Sequence, residues 1–236
     1  DGSVRIHGAK NSVLPILAAC LLAPGECVIH NCPELSDVAA SLDILRHLGC
    51  RAERQGDAVV VDASAPTGWD VPDALMREMR SSVIFLGAIL GRMGRAELCA
   101  PGGCELGPRP IDLHLAALRG LGAEIAEEQG RLTCTRGKGL TGRELCLSIP
   151  SVGATENAML AACAAQGMTT IVGAAREPEI VDLQKFLNSM GARVSGAGSP
   201  VISIQGGAPL HPAVHTVMGD RIAAATYLCA VGAAGG

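Results

Sequence analysis

Aromatic side chains are almost absent from this sequence: Trp69, Tyr227, Phe85 and Phe186 are the only four in 236 residues. Platforms that stack nucleic-acid bases need several such rings, so that class of binder is excluded. Positive charge is not in excess either. Nineteen Lys and Arg face 23 Asp and Glu, a net charge of −4, which offers no general attraction to nucleic acid or to an anionic membrane surface. Long apolar runs are missing. The longest, Val13 to Leu22, is interrupted by Pro15 and falls short of the roughly 20 residues that span a bilayer. The N-terminal stretch has no signal-peptide pattern. GxxxxGK[ST], HExxH and GxSxG are absent, which removes the commonest nucleotide, zinc-protease and serine-hydrolase signatures. Ten cysteines are present but no CxxC pair, so a zinc site is not expected. Cys20, Cys50, Cys146, Cys163 and Cys229 lie in apolar segments where a small hydrophobe suffices. The pattern reads as a reduced, cytoplasmic protein rather than a disulfide framework.

What is present is a core and a repeat. The chain is 48% hydrophobic and 18% charged, enough for a sizeable interior. Three segments follow one plan of helix, strand, helix, strand, strand, at a period of about 70 residues. They open with NSVLPILAACLLA, RSSVIFLGAILGRMG and SVGATENAMLAACAAQG. In each, a later helix ends in a Leu-Gly or Met-Gly pair: Leu48-Gly49, Leu121-Gly122 and Met190-Gly191. Glycine there is the expected C-terminal cap. The expected fold is α/β, with three helix pairs and three small sheets around a shared helical core. Residues 10–218 are read as one domain. DGSVRIHG reads as a strand without a partner, and DRIAAATYLCAVGAAGG as the opening helix of a further unit. Residues 1–9 and 219–236 are therefore read as pieces of a second domain.

Residues with chemical potential cluster at the junctions of this repeat. PGGCELGPRP presents Cys104 behind two glycines, and Gly107, Pro108 and Pro110 forbid a regular helix or central strand. A loop thiol is useful where its thiolate is accessible or where it delivers a proton, and Arg109 stands close in sequence. PSVGATEN places Ser151, Val152 and Gly153 at a helix N-terminus, whose free N–H groups suit an anion, though capping by Ser151 or Thr155 explains the same residues. Lys10 and Asn11 stand where the first strand would meet the first helix, and Arg80 holds the equivalent place in the second repeat. Together these form a plausible rim for a ligand carrying several phosphates or carboxylates.

The same stretches resemble a known family. GAKNSVLPILAACLLA, MRSSVIFLGAILGRMG, PGGCELGPRPIDLH, PSVGATENAMLAA, AAREPEIVDLQKFLNSMGA and GDRIAAATYL are similar, in order and over nearly the whole chain, to the UDP-N-acetylglucosamine 1-carboxyvinyltransferases, in a Gram-positive-like form. The resemblance implies an inside-out α/β barrel, the enolpyruvyl transferase fold, with the site in a cleft between two domains. It implies transfer of enolpyruvyl from phosphoenolpyruvate to the 3′-hydroxyl of UDP-N-acetylglucosamine in peptidoglycan synthesis, with no metal or organic cofactor. Cys104 matches the proton-donating cysteine that fosfomycin alkylates. Lys10 and Asn11 match a phosphoenolpyruvate-contacting pair, and Arg80 an arginine on the nucleotide sugar. Arg109, Pro110, Ile111, Asp112 and Leu113 match a uridine-binding segment, and Ser151, Val152 and Gly153 a diphosphate-holding turn. The family's general base falls beyond Gly236, and Ala223 stands where an acidic residue is usual. This chain alone is thus expected to be inactive without a second half as partner. The alternative is a non-catalytic module that binds the nucleotide sugar.

Overall fold

The structure, a computed structural model, describes residues 2–79, 81–99 and 110–235. The first repeat comprises α1 (Lys10–Cys20), β1 (Glu26–His30), α2 (Ser36–His47), β2 (Arg51–Gln55) and β3 (Ala58–Asp62). The second begins with β4 (Asp70–Val71), α3 (Asp73–Glu78) and a 3-10 turn at Ser82–Ile84. It continues through α4 (Phe85–Met93), β5 (Arg95–Cys99), α5 (Asp112–Gly120), β6 (Glu124–Glu128) and β7 (Arg131–Thr135). The third runs through β8 (Glu144–Cys146), α6 (Val152–Ala164), β9 (Gly167–Val172), α7 (Pro178–Ser189), β10 (Arg193–Ser195) and β11 (Val201–Gly206). β12 (Val214–Thr216) and α8 (Arg221–Ala234) close the described chain.

The opening helix of each repeat lies inside. In α1 every residue from Ser12 to Cys20 is buried, in α6 every residue from Ala154 to Cys163, and in α4 every residue from Phe85 to Leu90. A helix that is apolar all round has no face to offer water and packs at the centre. Here α4 packs on both α6 and α1. The strands lie outside this helical core with one face inward: β1, β5 and β7 each alternate buried and more exposed residues, as expected when one face packs and the other is solvated.

The three sheets repeat one topology. Their strand orders are β12-β1-β3-β2, β4-β5-β7-β6 and β8-β9-β11-β10. In each the first pair is parallel, with Val28 opposite Val214, Asp70 opposite Glu97 and Leu145 opposite Ile171, and the other pairs are antiparallel. The first sheet takes its parallel edge strand from β12, at the far end of the third repeat. The expected glycine caps are in place: Gly49, Gly122 and Gly191 have φ of +91°, +96° and +94°. After each, the next N–H reaches back to the helix: Cys50 to the Leu45 carbonyl, Ala123 to Leu118 and Ala192 to Leu187. This is the Schellman arrangement, which needs a left-handed residue at that point.

Four expectations change. The stretch DGSVRIHG does not form a strand over its described residues. It makes a single bridge, Gly8 to Gly219, flanked by Ala9 N–H to Met218 O at 2.8 Å and Asp220 N–H to His7 O at 2.9 Å, because its neighbour offers only that short run. Each sheet has a fourth strand the repeat did not reveal, two or three residues long and too short to show alternation. The helix α3 also went unread. Finally, Cys146 and Cys229 are exposed rather than in the core, since β8 is an edge strand and α8 has no buried residue. Ile222, Tyr227, Leu228 and Val231 of α8 all face solvent. Among the described residues no helix is long and apolar enough to cross a membrane.

Candidate functional site

Two helix starts meet on the second and third repeats. α6 begins after Pro150, which carries no N–H and precedes an extended Ser151 (φ −89°, ψ 120°). The Ser151 hydroxyl accepts the Ala154 N–H at 3.4 Å. Thr155 Oγ1 donates to the Ser151 carbonyl at 2.8 Å and accepts the Ala175 N–H at 3.1 Å, tying the turn to the loop before α7. The N–H groups of Val152 and Gly153 have no partner among the described residues. They sit at the positive end of a thirteen-residue helix, which favours negative charge.

The first turn of α5 lies beside this one. Pro110 and Asp112 are exposed, Ile111 and Leu113 half-buried, and His114 is buried at 9% exposure. The His114 ring abuts Gly153: a Cβ at Gly153 would lie 2.9 Å from Cε1 and 3.2 Å from Nε2 of His114. Only a residue without a side chain lets the two turns approach this closely. Asn157, one turn further into α6, fastens the arrangement. Its Oδ1 accepts the Gly87 N–H at 2.7 Å, and its Nδ2 donates to the Val83 carbonyl and to His114 Nδ1, both at 2.8 Å. Three segments that are remote in sequence are thereby pinned by one amide. Burial pushes His114 down to about 4, against the opposing pull of the Asp112 carboxylate.

Of the residues singled out from sequence, the structure sets Gly153 against His114, the residue that follows Pro110, Ile111, Asp112 and Leu113 at the start of α5, with Ser151 and Val152 beginning the facing helix. Lys10 and Asn11, both exposed, begin α1 and follow the Gly8–Gly219 bridge rather than a strand. Lys10 Nζ pairs with Asp37 at 2.7 Å. No hydrogen bond or ion pair among the described residues joins these two to the α5–α6 group. Arg80, Cys104 and Arg109 lie outside the described residues.

Other functional groups carried no sequence signal beyond their residue type. Asp182 of α7 is a hub: it accepts Ser12 Oγ at 2.6 Å, His215 Nε2 at 3.1 Å and the Met218 N–H at 3.1 Å. Burial alone would raise its carboxyl, but these three hydrogen bonds outweigh it and hold the group below its usual range. Asp220 caps α8 through the Ile222 and Ala223 N–H groups at 2.8 and 3.0 Å. Against its partial burial, those bonds and the Lys10 N–H also lower its carboxyl. Glu156 is 3% exposed, and its Oε1 has no partner. Burial, and then the Glu179 and Glu177 carboxylates, push it well above the usual carboxylate range. Glu179 is held by Arg221 Nε at 2.9 and 3.2 Å. Among the described residues no group of three or more His, Cys, Asp or Glu is arranged to hold a metal ion.

The family model of EPSP synthase (3-phosphoshikimate 1-carboxyvinyltransferase) matches residues 1–236. The chain belongs to the EPSP synthase family. Within it, this member is 54% identical over 229 residues to UDP-N-acetylglucosamine 1-carboxyvinyltransferase 2 of Caldanaerobacter subterraneus subsp. tengcongensis, covering 97% of this chain and 55% of that protein. It is 51% identical over 241 residues to UDP-N-acetylglucosamine 1-carboxyvinyltransferase 1 of Symbiobacterium thermophilum, covering 100% of this chain and 55% of that protein. The EPSP synthase-family chain thus spans about half the length of the curated relatives it matches. Among solved structures, the enolpyruvyl transferase NikO from Streptomyces tendae superposes with a TM-score of 0.85 at 27% identity, over 98% of this chain and 55% of that one. EPSP synthase from Acinetobacter baumannii gives 0.73 at 22% identity, over 96% and 52%, a likeness of fold alone. The three repeats around a helical core are the enolpyruvyl transferase fold.

Proposed function

We propose that this chain binds UDP-N-acetylglucosamine and phosphoenolpyruvate as part of an enolpyruvyl transferase of peptidoglycan synthesis. The observation that carries the reading is the close approach of the α5 start, at His114, to Gly153 of the Ser151–Gly153 turn, in a chain 54% identical to a relative named UDP-N-acetylglucosamine 1-carboxyvinyltransferase 2. The uridine lies along Arg109 to Leu113, and the diphosphate takes the unpartnered N–H groups of Val152 and Gly153. Arg80 contacts the nucleotide sugar, and Lys10 and Asn11 contact phosphoenolpyruvate. No metal or organic cofactor enters.

The chemistry follows from the substrates. The Cys104 thiol gives its proton to the methylene carbon of phosphoenolpyruvate, leaving a cationic carbon that the sugar hydroxyl attacks as its own proton departs to a base. Loss of phosphate, with return of one proton from the newly formed methyl group to the Cys104 thiolate, restores the enol double bond. Cations at helix starts neutralise the charge that builds on the leaving phosphate. Residues 10–218 act as one domain in this reading. Residues 1–9 and 219–236 belong with the second half of the enzyme, which the solvent-facing apolar residues of α8 support. The free thiols of the described cysteines support a cytoplasmic setting. Calorimetric titration with UDP-N-acetylglucosamine tests the reading: binding is expected, and Arg109→Ala should weaken it. Fosfomycin added with the nucleotide sugar should label Cys104 ahead of the other nine cysteines. Absence of binding, or labelling spread evenly over all ten, would refute it.

A further inference from the structure

Helix α1 carries Lys10 and Asn11 on its first turn, yet its start has no local anchor. The residue before it is Ala9, whose side chain cannot cap, and no side-chain hydrogen bond closes that end. Lys10 and Asn11 are both exposed, so core packing does not hold them either. The fixed points lie on either side of the pair and lead to one atom. Ser12 is fully buried, and its hydroxyl donates to Asp182 Oδ2 at 2.6 Å. The Met218 N–H donates to the same oxygen at 3.1 Å, and the Met218 carbonyl accepts the Ala9 N–H at 2.8 Å. Ala9 and Ser12 are thus both referred to Asp182 Oδ2, one through Met218 and one directly. The Lys10 N–H goes to the Asp220 carboxylate, two residues beyond Met218 on the segment that Asp182 holds. Asp182 Oδ1 takes His215 Nε2 at 3.1 Å, and the His215 ring lies 5.4 Å from that of Phe186, one turn along α7. With both oxygens engaged, the carboxylate has one orientation. None of its hydrogen bonds among the described residues runs to α5 or α6. We propose that Asp182 is a positioning residue: it sets where α1 begins, and so where the Lys10 ammonium and the Asn11 amide meet phosphoenolpyruvate. Ser12 carries the direct half of that control.

The inference rests on the reading of Lys10 and Asn11 as the phosphoenolpyruvate contacts, and the test separates the two. Steady-state phosphate release is measured on the full-length protein with each substrate varied in turn. Ser12→Ala removes the direct tie and leaves the carboxylate its other two donors. It should lower kcat/KM for phosphoenolpyruvate about ten-fold while leaving KM for UDP-N-acetylglucosamine unchanged. Asp182→Ala should lower it further, and Asp182→Asn, which keeps an oxygen for the Met218 N–H, should recover part of the loss. A merely structural role would move both substrates together or neither. Hydrogen exchange at the backbone N–H groups of residues 10–13 gives a readout without substrate. Ser12→Ala should speed that exchange about ten-fold and leave the first turn of α5 as it was. Equal effects on the two substrates, or a folded Ser12→Ala with the parent's kinetics for phosphoenolpyruvate, overturn the inference and leave the reading standing. Unchanged exchange at residues 10–13 overturns it as well. A parent that releases no phosphate overturns the reading, and faster exchange in Ser12→Ala then still upholds Asp182 as the residue that sets the α1 start. Should Asp182→Ala not fold, Ser12→Ala decides.

Discussion

Lowering the pH should unlock the α5–α6 junction through His114. The folded group titrates at about 4 rather than 6.5, so between those values the unfolded chain binds a proton that the folded chain refuses. Stability from this group is complete above the unfolded value and is lost as pH falls through 6.5 towards 4. Taken from pH 7 to pH 4.5, the shift removes about 2 kcal/mol of folding free energy. The size is credible because the ring is 91% buried by its 9% exposure and because protonation turns the Asn157 contact into donor against donor. Carboxylates titrate over the same range, so the parent alone is not informative. The comparison is urea unfolding of the parent and His114→Asn at pH 7, 5.5 and 4.5. The parent should lose about 2 kcal/mol more than the variant over this interval. Equal losses, or a His114 proton titration centred near 6.5, would refute the link between its burial and the junction's stability.

Three further outcomes are expected. Gly153→Ala places a methyl against the His114 ring and should cost about 1–3 kcal/mol in urea unfolding, a cost that His114→Ala in the same chain should partly relieve. Asp182→Ala strands Ser12, His215 and the Met218 N–H, and should lower stability by about 3–5 kcal/mol; a loss below about 1 kcal/mol would show the hub to be dispensable. Glu156 holds its proton above the usual range, so its stabilising contribution is complete at low pH and declines as pH rises from about 4.5. Glu156→Gln should therefore gain stability on the parent as pH rises above about 5, and an identical pH dependence of the two in urea unfolding would count against the reading.

Much of the plan was legible from residue pattern because it rests on local rules. The Gly49, Gly122 and Gly191 caps mark helix ends through backbone geometry, which only a residue free to take positive φ satisfies. The apolar all-round openings of the three repeats announce buried helices, and Ser151 announces a helix start. Legibility stopped where a residue's role depends on a partner far along the chain. The edge strands Asp70–Val71, Glu144–Cys146 and Val214–Thr216 are too short to alternate and exist only because a neighbouring strand offers its open side. The stretch before Ala9 looked like a strand and is not one, since its neighbour pairs with it at one residue.

The candidate site divides along the same line. Sequence by itself determined that an anion-ready helix tip begins at Ser151 and that another helix ends at Leu121-Gly122, because terminal chemistry is written in consecutive residues. Only the tertiary structure decided that the starts of these two helices touch, that Gly153 must lack a side chain to let them, and that Asn157 ties His114 to the start of α4. Those facts depend on hydrogen bonds spanning 43 to 74 positions of the chain, and no local pattern encodes the distance at which two helices stop approaching.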